Sequence, residues 1–488
     1  MNLRTSQSHP LQIANIQLPD GHGRIGITFC PGKYQPAAMT GGWARDLDSD
    51  LAAIQHWGAS AVVSLIEPHE MQALQVPHLG EAVTQRHMHW YHLPITDVSV
   101  PDAQFEAQWQ RASAELRHML HAGFSVLVHC RGGLGRAGMI AAALLVELGE
   151  PAPSAIARVR QARPGAIETR AQEAYVTGLS ALGFSSPDQS EAACADRARG
   201  ALLGLAVGDA LGTTLEFSRR DSTPFLSDMV GGGPFRLEAG QWTDDSAMAL
   251  ALADSLHEKN GLDEADLMAR FVDWHENGSY SCTGRCFDIG ITTRAALSRW
   301  KASGNPLAGS TAPDSAGNGS LMRLAPIAIR YWRDRPSLRH AAAQQSRTTH
   351  GAPQAVEACV AYAELLSDAI AGVPRHELLR DRRIEGDAVI AKILGGAWRG
   401  KARREIAASG YVGHSLEAAL WSVGRSGNYR QAILSAANLG DDADTTAAIA
   451  GQLAGAIEGA GAIPAPWLQK LAWRERLTDA ADRLFAAS

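Results

Sequence analysis

Val128-His129-Cys130-Arg131-Gly132-Gly133-Leu134-Gly135-Arg136-Ala137-Gly138 is the stretch on which the reading of the first half of this chain turns. Ser125-Val-Leu-Val-His129 leads into it as a short β-branched strand, and an alanine-rich helical pattern comes after it. Glycines between strand and helix let the loop curl until successive N–H groups point inward, and the helix N-terminus adds its dipole. Such a loop cradles an anion. The same field would hold a cysteine at its base as thiolate, with a pKa in the roughly 3.5–7.5 range of activated cysteines. Arg136 closes the ring and can grip two phosphate oxygens in a fork. Arg131, Gly132, Gly133, Leu134 and Gly135 are therefore candidate phosphate-binding residues. Cys130 is the candidate nucleophile, attacking phosphorus to give a phosphocysteine that water cleaves. The bland alternative is a buried cysteine ahead of a glycine turn.

Around this loop the first half alternates strand-like runs, such as Ser60-Ala-Val-Val-Ser-Leu-Ile66, with helical patterns, which predicts an α/β fold. The loop resembles the Cys-x5-Arg signature of protein tyrosine and dual-specificity phosphatases. Leu93-Pro94-Ile95-Thr96-Asp97-Val98-Ser99-Val100-Pro101-Asp102 resembles the general-acid loop of the cyclin-dependent-kinase-associated phosphatase branch. Gly165-Ala166-Ile167-Glu168-Thr169, with Gln172 and Tyr175, resembles that branch's distal motif. The resemblance covers roughly residues 25–180 and implies a general acid that protonates the leaving oxygen. Asp97 is the better candidate by motif position; Asp102 is second, with a helix N-cap as its plain structural role. One departure stands out. Ala137 stands after Arg136 where most of the family has Ser or Thr to help release phosphate from cysteine.

The polar stretch beginning Ser185-Ser-Pro-Asp-Gln-Ser-Glu191 reads as a linker, assigned to 185–195, between a domain over 1–184 and a second over 196–488. The second half is alanine- and glycine-rich with helical periodicity, which predicts an all-α domain. Gly200, Gly204, Gly208 and Gly212 recur every fourth residue on one helix face. Glycine weakens a helix, so the stripe asks for a close neighbour. Glu417, Ala418, Leu420, Trp421 and Val423 belong to another amphipathic helix.

Two acidic clusters lie about 200 residues apart: Trp242-Thr243-Asp244-Asp245-Ser246 and Gly440-Asp441-Asp442-Ala443-Asp444-Thr445-Thr446. Either alone reads as a helix cap. Together, all-oxygen ligands suit hard cations such as Mg²⁺ or Mn²⁺ rather than zinc. The pair resembles the ADP-ribosylglycohydrolases, including the dinitrogenase-reductase-activating type, with Thr-Asp-Asp early and Asp-x-Asp-Thr late. The resemblance covers roughly 196–485. It implies a dinuclear metal centre held by Thr243, Asp244, Asp245, Asp442, Asp444 and Thr445; Asp441 is left out because some members have glycine there. It further implies an ADP-ribose site that includes Glu216 after the Gly204–Gly212 run, Asp288, Asn318, Gly319, Ser320, Met322 and His350. The implied chemistry breaks the bond to C1 of the distal ribose through an oxocarbenium-like state, aided by two divalent cations and no organic cofactor.

Bulk features bound these readings. The 488 residues exceed one ordinary core, and 45% hydrophobic with 20% charged residues describes a soluble globular chain. A net charge of -6 gives no reason to expect general nucleic-acid or membrane binding. Six irregularly spaced cysteines suggest neither a disulfide framework nor a paired zinc site. The N-terminus lacks an apolar leader core and Met139–Leu148 is too short to span a bilayer, so a cytoplasmic setting is expected. The expected substrates are ADP-ribosylated and phosphorylated molecules, proteins first among them. Three functional readings are open: a hydrolase that removes both groups; a glycohydrolase recruited by a phosphate-binding module; or a two-step enzyme on a phosphorylated ADP-ribose metabolite.

Overall fold

The computed structural model describes residues 3–19, 21–38, 41–382 and 385–488; Met1 and Asn2, at the start of the stretch read as lacking a leader core, lie outside them. Two compact units divide the chain, Met1–Ser185 and Ser186–Ser488.

In the first unit, five strands form one mixed sheet: β1 (Ala14–Gln17), β2 (Arg24–Phe29), β3 (Ala59–Ser64), β4 (His89–His92) and β5 (Ser125–Cys130). Their order is β1-β2-β5-β3-β4; β1 runs antiparallel to β2 and the other pairs are parallel. All six residues of β5 are buried, as a central parallel strand covered on both faces requires. Four helices carry or brace the residues at the end of β5: α1 (Pro68–Ala73), α2 (Ala103–His121), α3 (Gly135–Glu147) and α4 (Arg170–Thr177). The apolar run Met139–Leu148 falls on α3 up to Glu147, and every residue of that helix is buried. Asp102 caps α2, its carboxylate accepting from Phe105 N at 2.8 Å.

The second unit is helical. Its first helix, α5 (Glu191–Gly212), opens inside the stretch read as linker, because Ser190 caps it by accepting from Ala193 N. The connection without regular structure lies instead over 178–190, between α4 and α5. Two further helices frame the site: α6 (Asp244–Glu258) and α7 (Ala443–Glu458). The glycine stripe of α5 lies directly on α7. A Cβ added at Gly200, Gly204, Gly208 or Gly212 would overlap the carbonyl oxygen of Gly455, Gly451, Ala447 or Ala443 respectively. The pairing runs antiparallel, so the C-terminal end of α5 meets the N-terminal end of α7.

Among the described residues, no helix is long and apolar enough to cross a membrane.

Candidate active sites

The first site forms where β5 ends. Cys130 Sγ accepts from Gly133 N at 3.2 Å, the first sign of the inward-pointing loop. Gly133 adopts φ 70°, and a side chain there would drive into the backbone of Thr28 and Phe29. Behind Cys130, Trp90 Nε1 donates to Ser64 Oγ at 2.8 Å, leaving the Ser64 hydrogen for His129 Nε2 at 2.7 Å. Burial pushes His129 down to about 3, so the imidazole is neutral.

Arg136 opens α3 and is 2% exposed. Glu70 on α1 takes its guanidinium in a fork, at 2.6 Å and 2.9 Å. Nη1 also donates to Ile95 O at 2.8 Å, and Asp97 Oδ1 stands 2.9 Å from Nη2. Asp97 thus sits against Arg136 with its side chain half exposed, whereas Asp102 is engaged as a cap. Val98 comes next with φ 60°, and its N–H donates back to Asp97 Oδ1. Ala137 is fully buried. Gln172 holds the distal motif: its Oε1 accepts from Glu168 N, and its amide reaches Ser99 O in the Asp97 loop.

The second site forms where α5, α6 and α7 converge. Asp209, one turn before the end of α5, is fully buried and accepts four hydrogen bonds from the turn that opens α6. Its Oδ1 takes Thr243 N and Thr243 Oγ1, both at 2.9 Å; its Oδ2 takes Ser246 N at 3.0 Å and Ser246 Oγ at 2.7 Å. Thr243 Oγ1 also lies 3.4 Å from Asp245 Oδ2 and 3.2 Å from Asp444 Oδ2. A hydroxyl has a single hydrogen, so three acceptors around it leave oxygens crowded with nothing between them. Thr445 Oγ1 adds another oxygen 3.3 Å from Asp245 Oδ2. Asp245 Oδ1 is buried without a hydrogen-bond partner.

Carboxylate oxygens of Asp209, Asp245 and Asp444 come together closely enough to hold a metal ion, as do those of Glu216, Asp442 and Asp444. Glu216 Oε2 accepts from Ala443 N at 2.7 Å and Asp444 N at 3.2 Å, capping α7. Asn318 Nδ2 donates to Asp442 Oδ2 at 2.7 Å. Burial first and mutual repulsion second push Asp209, Asp442 and Asp444 up to about 7 and Glu216 up to about 12. Asp244 and Asp245 rise well above the carboxylate range for the same reasons. A buried set of this kind, all oxygen and crowded with like charge, fits hard divalent cations.

Above the cluster opens a cavity of about 780 Å³. A model of the ADP-ribosylglycohydrolase family matches residues 190–488. The chain belongs to the ADP-ribosylglycohydrolase family. An ADP-ribosylarginine hydrolase of Pseudomonas putida is 47% identical over 292 residues, covering 59% of this chain and 78% of that protein. A solved ADP-ribosylglycohydrolase-related protein complex aligns with a TM-score of 0.54 and 40% identity, over 60% of this chain and 99% of its own. Ahead of the glycohydrolase domain, a model described as a Swiss Army Knife protein, DSP-PTPase phosphatase domain, matches residues 35–176. Cyclin-dependent kinase inhibitor 3 of Sus scrofa is 31% identical over 135 residues, 27% of this chain and 62% of that protein. A phosphatase domain and a glycohydrolase domain are both present.

The glycohydrolase cavity is lined by Glu216, Asp288, Asn318, Gly319, Met322 and His350 from the expected ADP-ribose contacts, and by Asp244, Asp442, Asp444 and Thr445 from the expected ligand set. Thr243 and Asp245 are buried in the same cluster. The hydroxyl of Ser320 pairs with Ser346 Oγ at 2.9 Å in the core. Its neighbours Asn318 and Gly319 face the cavity, and the turn beyond them carries Ser320 inward. Asp441, left out of the ligand set, does line the cavity, with φ 57°. The reading of single motifs missed Asp209 and Glu70. A lone aspartate inside a glycine-striped helix was the available signal for Asp209; Glu70 carried none.

Proposed function

We propose that this chain is a two-site hydrolase: the glycohydrolase domain removes ADP-ribose from arginine, and the phosphatase domain removes phosphate through Cys130. The observation that carries the first activity is the convergence of Thr243, Asp245, Asp442 and Asp444 beneath the 780 Å³ cavity. Arginine as the carrier is supported by the name of the 47% identical relative.

Thr243, Asp244, Asp245, Asp442, Asp444 and Thr445 would hold two divalent cations, Mg²⁺ or Mn²⁺. Bound there, cations neutralise the carboxylates, orient the ribose hydroxyls and make a water more acidic. The protein's own part is to place acceptors. Asn318 fixes Asp442, Glu216 fixes the start of α7, and a carboxylate of the cluster takes the proton of the attacking water.

In the phosphatase domain, Glu70 fixes one edge of Arg136. An incoming phosphate competes with Asp97 for Nη2, which frees the Asp97 carboxylate to take up a proton from solvent and deliver it to the leaving oxygen. Cys130 Sγ attacks phosphorus, the P–O bond to the leaving group breaks, and water then displaces the thiolate from the phosphocysteine.

The test uses the full chain on a protein ADP-ribosylated at arginine, one ADP-ribosylated at serine, and an aryl phosphate. Release from arginine but not serine, abolished by Asp444→Ala and untouched by Cys130→Ser, is the expected result. Release from serine alone overturns the arginine assignment. Loss of both activities in a folded Cys130→Ser variant overturns the assignment of two independent sites. The buried Ala137 favours a second reading, in which the phosphatase domain binds phosphorylated partners without turning them over; absence of aryl phosphate turnover would select it.

A further inference from the structure

The loop after Cys130 is held from outside by two cations that no motif reading includes. Lys33, in the loop beyond β2 and 5% exposed, donates from Nζ to Arg131 O at 3.2 Å. Arg163 donates from Nε to Gly133 O at 3.1 Å and from Nη2 to Gly132 O at 3.5 Å. Three consecutive loop carbonyls are therefore turned outward and held there. A peptide unit is planar and trans, so its N–H points opposite to its C=O. Holding the carbonyls of residues 131, 132 and 133 outward aims the N–H groups of Gly132, Gly133 and Leu134 inward. The middle one of the three obeys: Gly133 N points at Cys130 Sγ, 3.2 Å away.

Lys33 is itself packed in place. Lys33 Nζ lies 4.7 Å from the centre of the Phe29 ring and 4.9 Å from that of Trp43. Arg45 lies against the same two rings and is locked by Asp50 at 2.8 Å and 2.7 Å. A cation bound to a carbonyl oxygen also polarises the amide, making its N–H a stronger donor to an anion on the other side.

We propose that Lys33 and Arg163 are positioning residues for the phosphate cradle, holding three successive peptides so that their N–H groups converge on the thiolate and on the bound oxyanion. This rests on the reading of the Cys130 loop as a phosphate site. Lys33 faces the thiols of Cys30 and Cys130 and the guanidinium groups of Arg45 and Arg131, and burial lowers it to about 8. It loses its proton as pH rises through that value, and the outer clamp on residue 131 weakens with it.

The experiment measures binding of tungstate, an inert phosphate analogue, to the full chain by calorimetry from about pH 6 to 9.5, a range that brackets the Lys33 titration. Wild type should bind, with affinity falling above about pH 8. Lys33→Met and Arg163→Gln should each weaken binding on the order of tenfold at neutral pH, the worth of one hydrogen bond to a charged group. Lys33→Arg should retain binding and move the alkaline fall upward, which a residue serving only to fill space would not do. Arg163 is half-buried, so its variant tests the idea even if Lys33→Met fails to fold. Tungstate binding as tight in Arg163→Gln as in wild type, or an alkaline fall unmoved in Lys33→Arg, overturns the proposal. No tungstate binding by wild type would instead sink the phosphatase reading beneath it.

Discussion

Gly212→Ala tests the geometry of the glycohydrolase centre with one methyl group. Gly212 has helical backbone angles, φ -67° and ψ -35°, so alanine is free to adopt them, and intrinsic propensity alone would favour it by about 1 kcal/mol. The obstacle is contact. The new Cβ would stand 2.4 Å from Ala443 O and 2.6 Å from Asp444 Cα, against the 3.4 Å at which ordinary contact begins, so α5 and α7 must part by about 1 Å at this point. Overpacking of that kind costs roughly 1–3 kcal/mol, which leaves a net loss of about 0–2 kcal/mol after the propensity gain. The functional effect is larger because Asp444 carries its carboxylate with it. A shift of about 1 Å exceeds the roughly 0.5 Å within which a metal site has to be held. Mn²⁺ affinity should fall, and kcat/KM for ADP-ribose release should drop on the order of 10–10²-fold. Calorimetric titration of Mn²⁺, a melting curve and release of ADP-ribose from a modified protein read all three. A Gly212→Ala protein that melts higher than wild type and binds Mn²⁺ equally well would refute the close contact between the helix ends.

Three further outcomes are expected. Asp97→Asn should slow release of poor leaving groups by about 10²–10⁴-fold while leaving activated aryl phosphates much less affected; equal losses across the series would mean Asp97 is not the proton donor. Ala137→Ser should shorten the lifetime of the phosphocysteine, read by rapid-quench trapping; an unchanged lifetime would show that another group already assists hydrolysis. Chelated protein should lose stability as pH rises from about 4 through 7. The folded values of Asp209, Asp442 and Asp444 lie above the unfolded ones, so their contribution is complete below the unfolded pKa and is lost as pH passes the folded one. Mg²⁺ or Mn²⁺ should therefore raise the melting temperature more at about pH 8 than at about pH 5, and a pH-independent gain would speak against cation binding by these carboxylates.

What could be read in advance was what is local. The Cys130 loop carries its strand, its glycines and its arginine within a few residues, and the hydrogen bond from Gly133 N is a consequence of that spacing. The acidic clusters were legible as a pair because each opens a helix, and buried like charges need a counterion. What escaped depends on packing between distant segments. Glu70 is an ordinary helix residue until the fold sets it against Arg136, 66 positions away. Asp209 acquires its role only when α6 starts beside α5. The hydroxyl of Ser320 likewise finds its partner at Ser346, 26 positions away, a contact that no local motif shows.

The antiparallel seating of α5 on α7 has a consequence for how the molecule is made. The two helices stand at opposite ends of the glycohydrolase domain, Glu191–Gly212 near its start and Ala443–Glu458 near its finish. During synthesis α5 leaves the ribosome with an unmatched row of glycines, and its partner is not translated until more than 200 residues later. At roughly 5–20 residues per second, that is a wait on the order of ten seconds or more. The carboxylates of α6 meet those of α7 only at the end of it, and the long loop between them has to close before any of this contact is gained. A nascent chain or a fragment cut short of α7 therefore cannot assemble the carboxylate cluster.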